Sequence, residues 1–532
     1  MSRIQITDLT FCYEGSFDNI FEHVSFAIDS DWKLGLIGRN GKGKTTFLKL
    51  LLGEYAYDGF ISSPVRFKYF PYEIPAGYMG RCASEFLEEL KPDCEEWQVI
   101  CELAKLDASA ELLYRSFESL SHGERTKVLL AVLFSGENDF LLIDEPTNHL
   151  DQEARETVKQ YLGGKKSFLL VSHDRDLLDA CVDHMLVLNR QSIEVQSGNF
   201  SVWWENKNRR DQFAQAENEK HLREIASLKK AADQSGRWAR KNENTKIGID
   251  PIKDHDRGMG TRPYIGAKTK KMQKQVKSYE KRMEREIKAK EGLLADIERP
   301  VPLRLNPLSY HKERLILAKE LTAGYAGSGT NVLKEFSFEL KRGERVFLHG
   351  ENGCGKSTFL KAVLGTAGLP GAEDGLQIRG GELLTGPGMV ISYINQDTGF
   401  LKGSIKDFCR ERGLEESVFC ALLRQLDLER GQFAKDMEEF SEGQKKKLLI
   451  AASLMTPAHL YLWDEPLNYI DVFSRMQIEK LLEAFQPTML VVEHDVRFRE
   501  KAATRVVEMQ LVRAHPEKQE PDFAPVRHVS FW

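Results

Sequence analysis

Two short stretches of this sequence place glycines, a lysine and a hydroxyl residue at the spacing that binds phosphate. They are GRNGKGKT at 38–45 and GENGCGKS at 350–357, and both fit G-x-x-x-x-G-K-[ST] directly after an apolar run. Such glycines let backbone N–H groups wrap phosphate oxygens at a helix N-terminus, and the lysine reaches the β- and γ-phosphates of ATP. The loop residues that we expect to bind nucleotide are Gly38, Asn40, Gly41, Gly43, Lys44, Thr45 and Thr46 in the first half, and Gly350, Asn352, Gly353, Gly355, Lys356, Ser357 and Thr358 in the second.

Acidic residues end a second pair of apolar runs, in LLIDEPTNHLD and YLWDEPLNYID. We expect the aspartates, together with the loop hydroxyls, to orient a Mg²⁺ shell, and the following glutamates to act as general bases toward the attacking water. The residues of this metal and base set are Thr45, Asp144 and Glu145, and Ser357, Asp464 and Glu465. An isolated Asp-Glu-Pro could be an ordinary strand-ending turn, but here a phosphate loop stands upstream in both halves.

The positions of these motifs indicate an internal repeat of two homologous α/β domains. LSHGERTK pairs with FSEGQKKK, and VSHD pairs with VEHD. Tyr13 and Tyr325 each lie 25 residues before the first glycine of their phosphate loop. We therefore predict one ATPase domain at 1–199, a second at 301–513 and a C-terminal tail at 514–532.

The segment between the domains, residues 200–300, is predicted to be a long helical hairpin with a tip near 242–268, where glycine and proline break the helices. Each helix carries a narrow apolar stripe. The stripe residues are Leu222, Ile225, Leu228 and Ala232, and then Val276, Tyr279, Met283, Ile287, Leu294 and Ile297. From Glu205 to Arg299 there are 25 Lys/Arg and 16 Asp/Glu, a net charge of +9 in a chain whose total is −5. This basic middle indicates either a polyanionic partner or a solvated pair of helices.

These motifs resemble those of the ATP-binding-cassette (ABC) ATPases, which are P-loop NTPases. LSHGE and FSEGQ resemble the family's signature, His173 and His494 its switch histidine, and NHLD and NYID its D-loop. Tyr13 and Tyr325 stand where an aromatic residue would stack on adenine. The resemblance implies that the two domains close head to tail, each ATP lying between one phosphate loop and the other domain's signature.

The resemblance implies two composite sites. Site 1 would join Lys44, Thr45, Asp144, Glu145 and His173 with Ser441, Gly443 and Gln444. Site 2 would join Lys356, Ser357, Gln396, Asp464, Glu465 and His494 with Ser121, Gly123 and Glu124. In both sites the glutamate and the histidine are the implied catalytic residues, and Gln396 is a further implied metal contact.

The organisation of the chain resembles that of the ABC-F family. It has two such domains with a charged hairpin between them, and it has no apolar run long enough to cross a bilayer. DWKLGLIGRNG, GNFS, AENEK and WDEPLNYIDVF resemble its Lsa-type branch. The resemblance implies a monomer whose ATP-bound form enters the E site of the 70S ribosome, near 23S rRNA and the P-site tRNA. It would protect translation from lincosamides, streptogramin A and pleuromutilins, and leave after ATP hydrolysis.

Two other functions are open: a regulatory translation factor without a drug-resistance role, and the ATPase of a transport system with separate membrane subunits. The scattered cysteines and the absence of a signal peptide lead us to expect a cytoplasmic protein.

Three positions depart from the family pattern. YINQ ends in Gln396, whereas the matching stretch YFPY ends in Tyr72. A phenol cannot supply the amide carbonyl that Mg²⁺ favours. We therefore hypothesise that the site built on Lys44 hydrolyses ATP more slowly than its partner, unless a water fills the gap. His122 and Glu442 replace the signature's second glycine.

Overall fold

The computed structural model describes residues 3–13, 19–92, 94–136, 140–148, 150–188, 193–244, 305–327, 330–369, 375–426, 428 and 430–511, with helical backbone also at 274, 278, 281 and 282. Internal contacts divide the chain into two compact units. The first unit joins residues 1–201 with residues 301–532, and the second is residues 202–300. The first unit contains two α/β domains, called the first and second domain below, as the repeat predicts.

The first domain is built on two sheets. Its strands are β1 (Arg3–Phe11), β2 (Phe21–Asp29), β3 (Lys33–Gly38), β4 (Asp58–Ser62), β5 (Phe67–Phe70), β6 (Phe140–Asp144), β7 (Phe168–Val171), β8 (His184–Leu188) and β9 (Ile193–Ser197). The larger sheet has the order β5-β6-β7-β3-β8-β9, parallel except for β9, and the smaller antiparallel sheet has the order β2-β1-β4. β3, β6 and β7 are almost wholly buried, as parallel strands covered on both faces should be.

The helices of the first domain follow its strands. They are α1 (Lys44–Leu52), α2 (Ala83–Leu90), α3 (Glu96–Lys105), α4 (His122–Phe134), α5 (Gln152–Gly163) and α6 (Arg175–Cys181). The phosphate loop follows β3, Asp144 ends β6 and His173 follows β7. Because these three strands are parallel neighbours, all three groups meet at the carboxyl edge of one sheet.

The second domain repeats this plan. Its strands are β10 (Arg314–Tyr325), β11 (Leu333–Lys341), β12 (Arg345–His349), β13 (Leu376–Thr385), β14 (Ile391–Ile394), β15 (Leu460–Asp464), β16 (Met489–Val492) and β17 (Arg505–Glu508). The parallel sheet has the order β14-β15-β16-β12-β17, and the antiparallel sheet has the order β11-β10-β13. The second phosphate loop, Asp464 and His494 therefore also meet at one carboxyl edge.

The helices of the second domain cover this sheet. They are α8 (Lys356–Thr366), α9 (Ile405–Arg412), α10 (Glu416–Gln425), α11 (Glu442–Met455), α12 (Val472–Phe485) and α13 (Val496–Ala502). Apolar side chains of both sheets and these helices fill two buried clusters, one on each face of the parallel sheet.

Between the domains, α7 (Phe200–Asn244) is one continuous helix of 45 residues. Of its predicted stripe, Ile225 is buried and Leu222 is 41% exposed. The side chains of Leu228 and Ala232, the tip beyond Asn244, the stripe of the second linker helix and the tail at 514–532 lie outside the described residues. No helix in the described part of the chain combines the length and the apolar character that a bilayer crossing requires.

Candidate active sites

The two phosphate loops begin helices α1 and α8 with glycines in the left-handed region. Gly43 has φ of 88° and Gly355 has φ of 97°. A Cβ at Gly43 would lie 2.5 Å from Ile20 Cγ2, and one at Gly355 would lie 2.7 Å from Leu333 Cδ2. Backbone conformation and crowding thus both require glycine directly before each lysine.

The loop lysines fold over their own loops. Lys44 Nζ donates to Gly38 O at 2.9 Å, and Lys356 Nζ donates to Gly350 O at 2.7 Å. Burial lowers the pKa of Lys44. Each ammonium group therefore stands beside the first-turn N–H groups of a helix, an arrangement that fits the phosphates of a nucleotide.

The expected metal ligands are in contact within each domain. Thr45 Oγ1 donates to Asp144 Oδ2 at 3.0 Å, and Ser357 Oγ donates to Asp464 Oδ1 at 3.1 Å. Burial raises the pKa of Asp144, and burial with nearby Glu465 raises that of Asp464 to about 6.

Asp464 Oδ2 is buried and accepts no hydrogen bond from the described residues. A hydroxyl beside such a carboxylate oxygen fits a hard cation. The described residues contain no cluster of three acidic, histidine or cysteine side chains that could hold a metal by themselves, so the remaining ligands would be phosphate and water oxygens.

The two candidate general bases have different surroundings. In site 1, Glu145 Oε1 lies 3.4 Å from His173 Nε2 and is buried without a hydrogen-bond partner among the described residues. Burial and the neighbouring Asp144 raise the pKa of Glu145 to about 8. In site 2, Glu465 Oε2 accepts from Gln396 Nε2 at 2.9 Å and from Asn468 Nδ2 at 2.6 Å. Glu145 Oε2 accepts from the backbone N–H of His173 at 3.4 Å, so among the described residues only Glu465 is oriented by side-chain amides.

The switch histidines lie beside these carboxylates but are buried. His494 Nε2 is 4.0 Å from Glu465 Oε1, and neither ring nitrogen of His494 has a hydrogen-bond partner among the described residues. Burial, with Arg155 and Lys356 nearby, lowers the pKa of His494 to about 3. Burial and Lys44 likewise lower the pKa of His173. Both rings are therefore neutral at physiological pH.

A residue that the sequence analysis missed reaches the metal end of site 1. The hydroxyl of Tyr69, on strand β5, donates to Asp144 Oδ2 at 3.3 Å. Tyr72, which matches Gln396 in sequence, has a pKa raised to about 12 by burial. The phenol at Asp144 thus comes from Tyr69, and no sequence signal distinguished it from Tyr393, which occupies the same place in the repeat and donates to Asn395 Oδ1.

The signature residues form capping boxes at the starts of α4 and α11. Ser121 Oγ accepts from Glu124 N, and Glu124 Oε2 accepts from Ser121 N at 2.7 Å. Ser441 and Gln444 repeat this pair of bonds. The side chains are thereby held at the N-terminal end of each helix, where N–H groups attract an anion.

At site 1 the two domains are in direct contact. Asn40 Nδ2, in the first phosphate loop, donates to Tyr469 O of the second domain at 2.7 Å. A Cβ at Gly443 would lie 2.7 Å from Tyr469 O and 3.1 Å from Asn40 Nδ2. Signature glycine, D-loop carbonyl and phosphate loop therefore meet across the domain boundary, and Gly443 leaves no room for a side chain.

At site 2 the corresponding residues enclose a cavity of about 360 Å³. Its lining from the second domain includes Lys356, Ser357, Thr358, Asn352, Gly353, Gly355, Gln396, Glu465, Asn468 and His494. The first domain contributes His122, Leu150 and Arg155. The cavity is thus composite. Ser121, Gly123 and Glu124 are not part of its described lining, although His122 of the same signature is.

The predicted adenine-stacking tyrosines lie against their phosphate-loop helices. Tyr13 and Thr46 share a hydrogen bond of 2.7 Å between their hydroxyls, and Tyr325 and Thr358 share one of 3.3 Å. Tyr13 is 41% exposed, so part of its ring is open to solvent. Stacking on adenine stays a prediction.

Away from the nucleotide sites, a buried ion pair joins the domains. Arg175, at the start of α6, donates from two nitrogens to the carboxylate of Glu479 on α12. Both side chains are 2% exposed. Removing one partner of such a pair would leave a buried charge at a cost of about 3–5 kcal/mol.

A second interdomain contact centres on Asp179 of α6. Its Oδ2 accepts from Arg497 of α13 at 2.5 Å and also from the hydroxyl of Ser201. Its Oδ1 accepts from the backbone N–H of Ser201 at 2.7 Å. Ser201 lies in the first turn of α7, so one carboxylate binds both the second domain and the beginning of the long helix.

Comparison with known proteins identifies the two domains. Residues 21–148 and 333–468 match the ABC transporter family model, and each matched stretch contains one phosphate loop and one Asp-Glu-Pro. The fold also resembles that of the archaeal ribosome recycling factor aABCE1, crystallised with the ribosomal stalk protein aP1. The TM-score is 0.58 at 19% identity, over 94% of this chain and 87% of that one.

Relatives match along nearly the whole chain. The ribosome protection protein VmlR of Bacillus subtilis (strain 168) is 26% identical over 511 residues, which cover 93% of this chain and 85% of that protein. The ATP-binding protein Uup of Buchnera aphidicola subsp. Acyrthosiphon pisum (strain APS) is also 26% identical over 511 residues, covering 92% and 78%.

Fold and sites together define a pair of ABC-type, ATP-binding α/β domains carried on one chain. The protein is an ATPase of the ABC-F type.

Proposed function

We propose that this ATPase binds the bacterial ribosome in its ATP-bound form, within the E site, and protects translation from drugs of the peptidyl-transferase centre. The observation that carries the proposal is the similarity over 93% of the chain, linker included, to a protein named for ribosome protection. Lincosamides, streptogramin A and pleuromutilins are the proposed drug classes, and the Lsa-type branch is the proposed subgroup.

The long helix and the charge of the linker support a nucleic-acid partner. At 1.5 Å per residue, the 45 residues of α7 extend over about 68 Å. The net charge of +9 between Glu205 and Arg299 suits ribosomal RNA, because Lys/Arg contacts to phosphates supply affinity that does not depend on sequence. The 23S rRNA and the P-site tRNA are the proposed contacts.

The composite sites supply a reason for ATP control. Lys44 and Lys356 would bind the phosphates, and the aspartates with their hydroxyl partners would hold a Mg²⁺, which when bound supplies positive charge to the transferred phosphoryl group. The glutamates hold the attacking water, and Asn40 binds the opposite domain directly. ATP would lie between the phosphate loop of one domain and the D-loop and signature of the other. Bound ATP therefore favours the closed arrangement of the two domains, and hydrolysis lets the domains separate.

Sedimentation with ribosomes tests the proposal. A variant with Glu145→Gln and Glu465→Gln lacks both general bases but keeps the phosphate loops. We expect it to lose hydrolysis and to co-sediment with 70S particles at saturating ATP, less strongly as salt rises. A control with Lys44→Ala and Lys356→Ala should not co-sediment. Failure of the glutamine variant to bind ribosomes with ATP would contradict the proposal, whereas association with membranes would favour the transport alternative.

A regulatory translation factor without a drug role is the second candidate, because the Uup relative is also 26% identical over 511 residues and its name contains no reference to drugs or ribosomes. Growth of one host with and without the gene, in lincomycin and in tiamulin, separates the two functions. Resistance in the expressing strain supports protection. If the strains with and without the gene grow equally in both drugs although the protein is expressed, the regulatory role is favoured.

A further inference from the structure

Two arginines occupy equivalent places in the repeat, four residues after the D-loop aspartates. Arg155 Nε donates to Leu150 O, and Arg475 Nε donates to Ile470 O, both at 2.9 Å. Each arginine therefore holds its own D-loop through one nitrogen. The other guanidinium nitrogens are available for a second partner.

In the described part of the chain, Arg475 has such further partners and Arg155 does not. Arg475 is 7% exposed, and its remaining nitrogens donate to Asp495 Oδ2 at 2.9 Å and to Leu467 O at 3.0 Å. Among the residues that the structure describes, no carboxylate lies within 4.0 Å of Arg155, and its two terminal nitrogens donate no hydrogen bond. Asp174, the counterpart of Asp495, instead caps α6 by accepting from Asp176 N and Leu177 N.

Arg155 is part of the lining of the composite cavity of site 2. Lys356, Gln396, Glu465 and His494 line the same cavity from the second domain. Burial is the largest cause of the lowered pKa of His494, and the positive charge of Arg155 is the next. The two cations and the unpartnered ring nitrogens leave an electrostatic place for an anion at this end of the cavity.

We propose that Arg155 binds the terminal phosphate of the ATP held by the second phosphate loop, so that the first domain supplies a cation to site 2 from across the domain boundary. Arg475 cannot do the same for site 1, because its nitrogens are already bound within the second domain. The inference depends on ATP binding at site 2 and not on the ribosome, so it stands or fails apart from the proposed function.

A bond to the terminal phosphate has a specific consequence. ADP lacks that group, so Arg155 should contribute to the affinity for ATP and not to the affinity for ADP. After hydrolysis the contact between the domains at site 2 is lost with the phosphate. Arg155 is then a nucleotide-binding residue of the first domain that contacts the nucleotide of site 2 when this nucleotide is ATP and not when it is ADP.

Equilibrium nucleotide binding tests this role in the protein carrying Glu145→Gln and Glu465→Gln, which does not hydrolyse ATP. Titration calorimetry with ATP and with ADP is compared for Arg155→Gln, Arg155→Lys and the unchanged background. Glutamine keeps a donor for Leu150 O but removes the charge. We expect Arg155→Gln to weaken one of the two ATP-binding events about tenfold or more, as loss of a charge-assisted hydrogen bond does, and to leave ADP affinity within about twofold. Arg155→Lys should keep part of the ATP affinity.

The matched control is Arg475→Lys, which should leave the ratio of ATP to ADP affinity at both sites unchanged. Unaltered ADP binding also shows that the variants are folded. If Arg155→Gln binds ATP as well as the background does, or loses ATP and ADP affinity equally, Arg155 serves only to hold the D-loop and the inference is wrong.

Discussion

Site 2 holds its proposed general base with two side-chain amide donors, whereas the matching carboxylate of site 1 accepts, among the described residues, from the backbone N–H of His173 at 3.4 Å. Glu465 accepts from Gln396 and Asn468, while Glu145 has a pKa raised to about 8. Site 2 also has the open guanidinium of Arg155 in its lining. Two copies of one motif thus lie in unlike surroundings, so a repeated sequence need not give two sites with equal rates of ATP hydrolysis.

The largest expected effect comes from removing each base in turn. Glu465→Gln should lower total ATP turnover by about 10²-fold or more, because a positioned general base contributes about 10²–10⁴-fold and this carboxylate is the better placed one. Glu145→Gln should lower total turnover by about twofold or less if the sites work independently. Steady-state phosphate release at saturating ATP measures both.

Retained binding of fluorescent ATP is the control for both variants. Equal losses in the two variants would mean either that the sites turn over at the same rate or that they act as one unit. Either result would break the distinction between the sites.

The pH dependence of site 1 is the next effect in size. A carboxylic acid cannot accept a proton, so a group with a pKa of about 8 is mostly inactive as a base at pH 7 and mostly active at pH 9. In the Glu465→Gln protein, turnover should therefore rise by about tenfold between these pH values. Asp144, Lys44, His173 and Arg475 surround the group and define its state.

Phosphate release of the Glu465→Gln protein across this pH range gives the measurement. The variant that carries both glutamines should show no such rise, which separates ionisation of Glu145 from general alkaline effects. A flat profile in the single variant would show that bound nucleotide restores an ordinary pKa to Glu145.

The smallest expected effect comes from exchanging Tyr72 for glutamine. In the Glu465→Gln background, Tyr72→Gln should raise turnover at site 1 by about threefold to tenfold, if the amide orients Glu145 as Gln396 orients Glu465. Single-turnover phosphate release is the measurement, and Tyr69→Phe is the matched control that removes the other phenol. No gain from Tyr72→Gln would indicate that water already fills the gap.

Local patterns predicted the parts of this molecule that depend on neighbouring residues. The phosphate loops, the strand-ending aspartates and the two α/β domains follow from spacing and hydrophobic pattern, and the structure confirms this fold class. The roles of the individual site residues stay predictions. The charge of the linker could be counted, but its predicted tip lies outside the described residues.

Contacts between distant segments could not be predicted in this way. Asn40 and Tyr469 are 429 positions apart, and their bond depends on how two folded domains meet. Tyr69 and Tyr393 hold the same position in the repeat, yet Tyr69 donates to the strand-ending Asp144 whereas Tyr393 donates to Asn395. The open end of Arg155 likewise depends on which partner Asp174 takes. Each of these contacts depends on tertiary packing, which no local sequence motif predicts.

The carboxylate of Asp179 carries one negative charge and binds two segments, one in the second domain and one at the start of α7. Arg497 follows the switch histidine of the second domain by three positions, and Ser201 lies in the opening turn of α7. If the two domains separated, Arg497 would move away from Asp179, and the hydrogen bonds between Asp179 and Ser201 would remain. Because Arg497 also binds Asp176, its departure would take one cation from two carboxylates and increase the negative charge beside the first turn of the 45-residue helix.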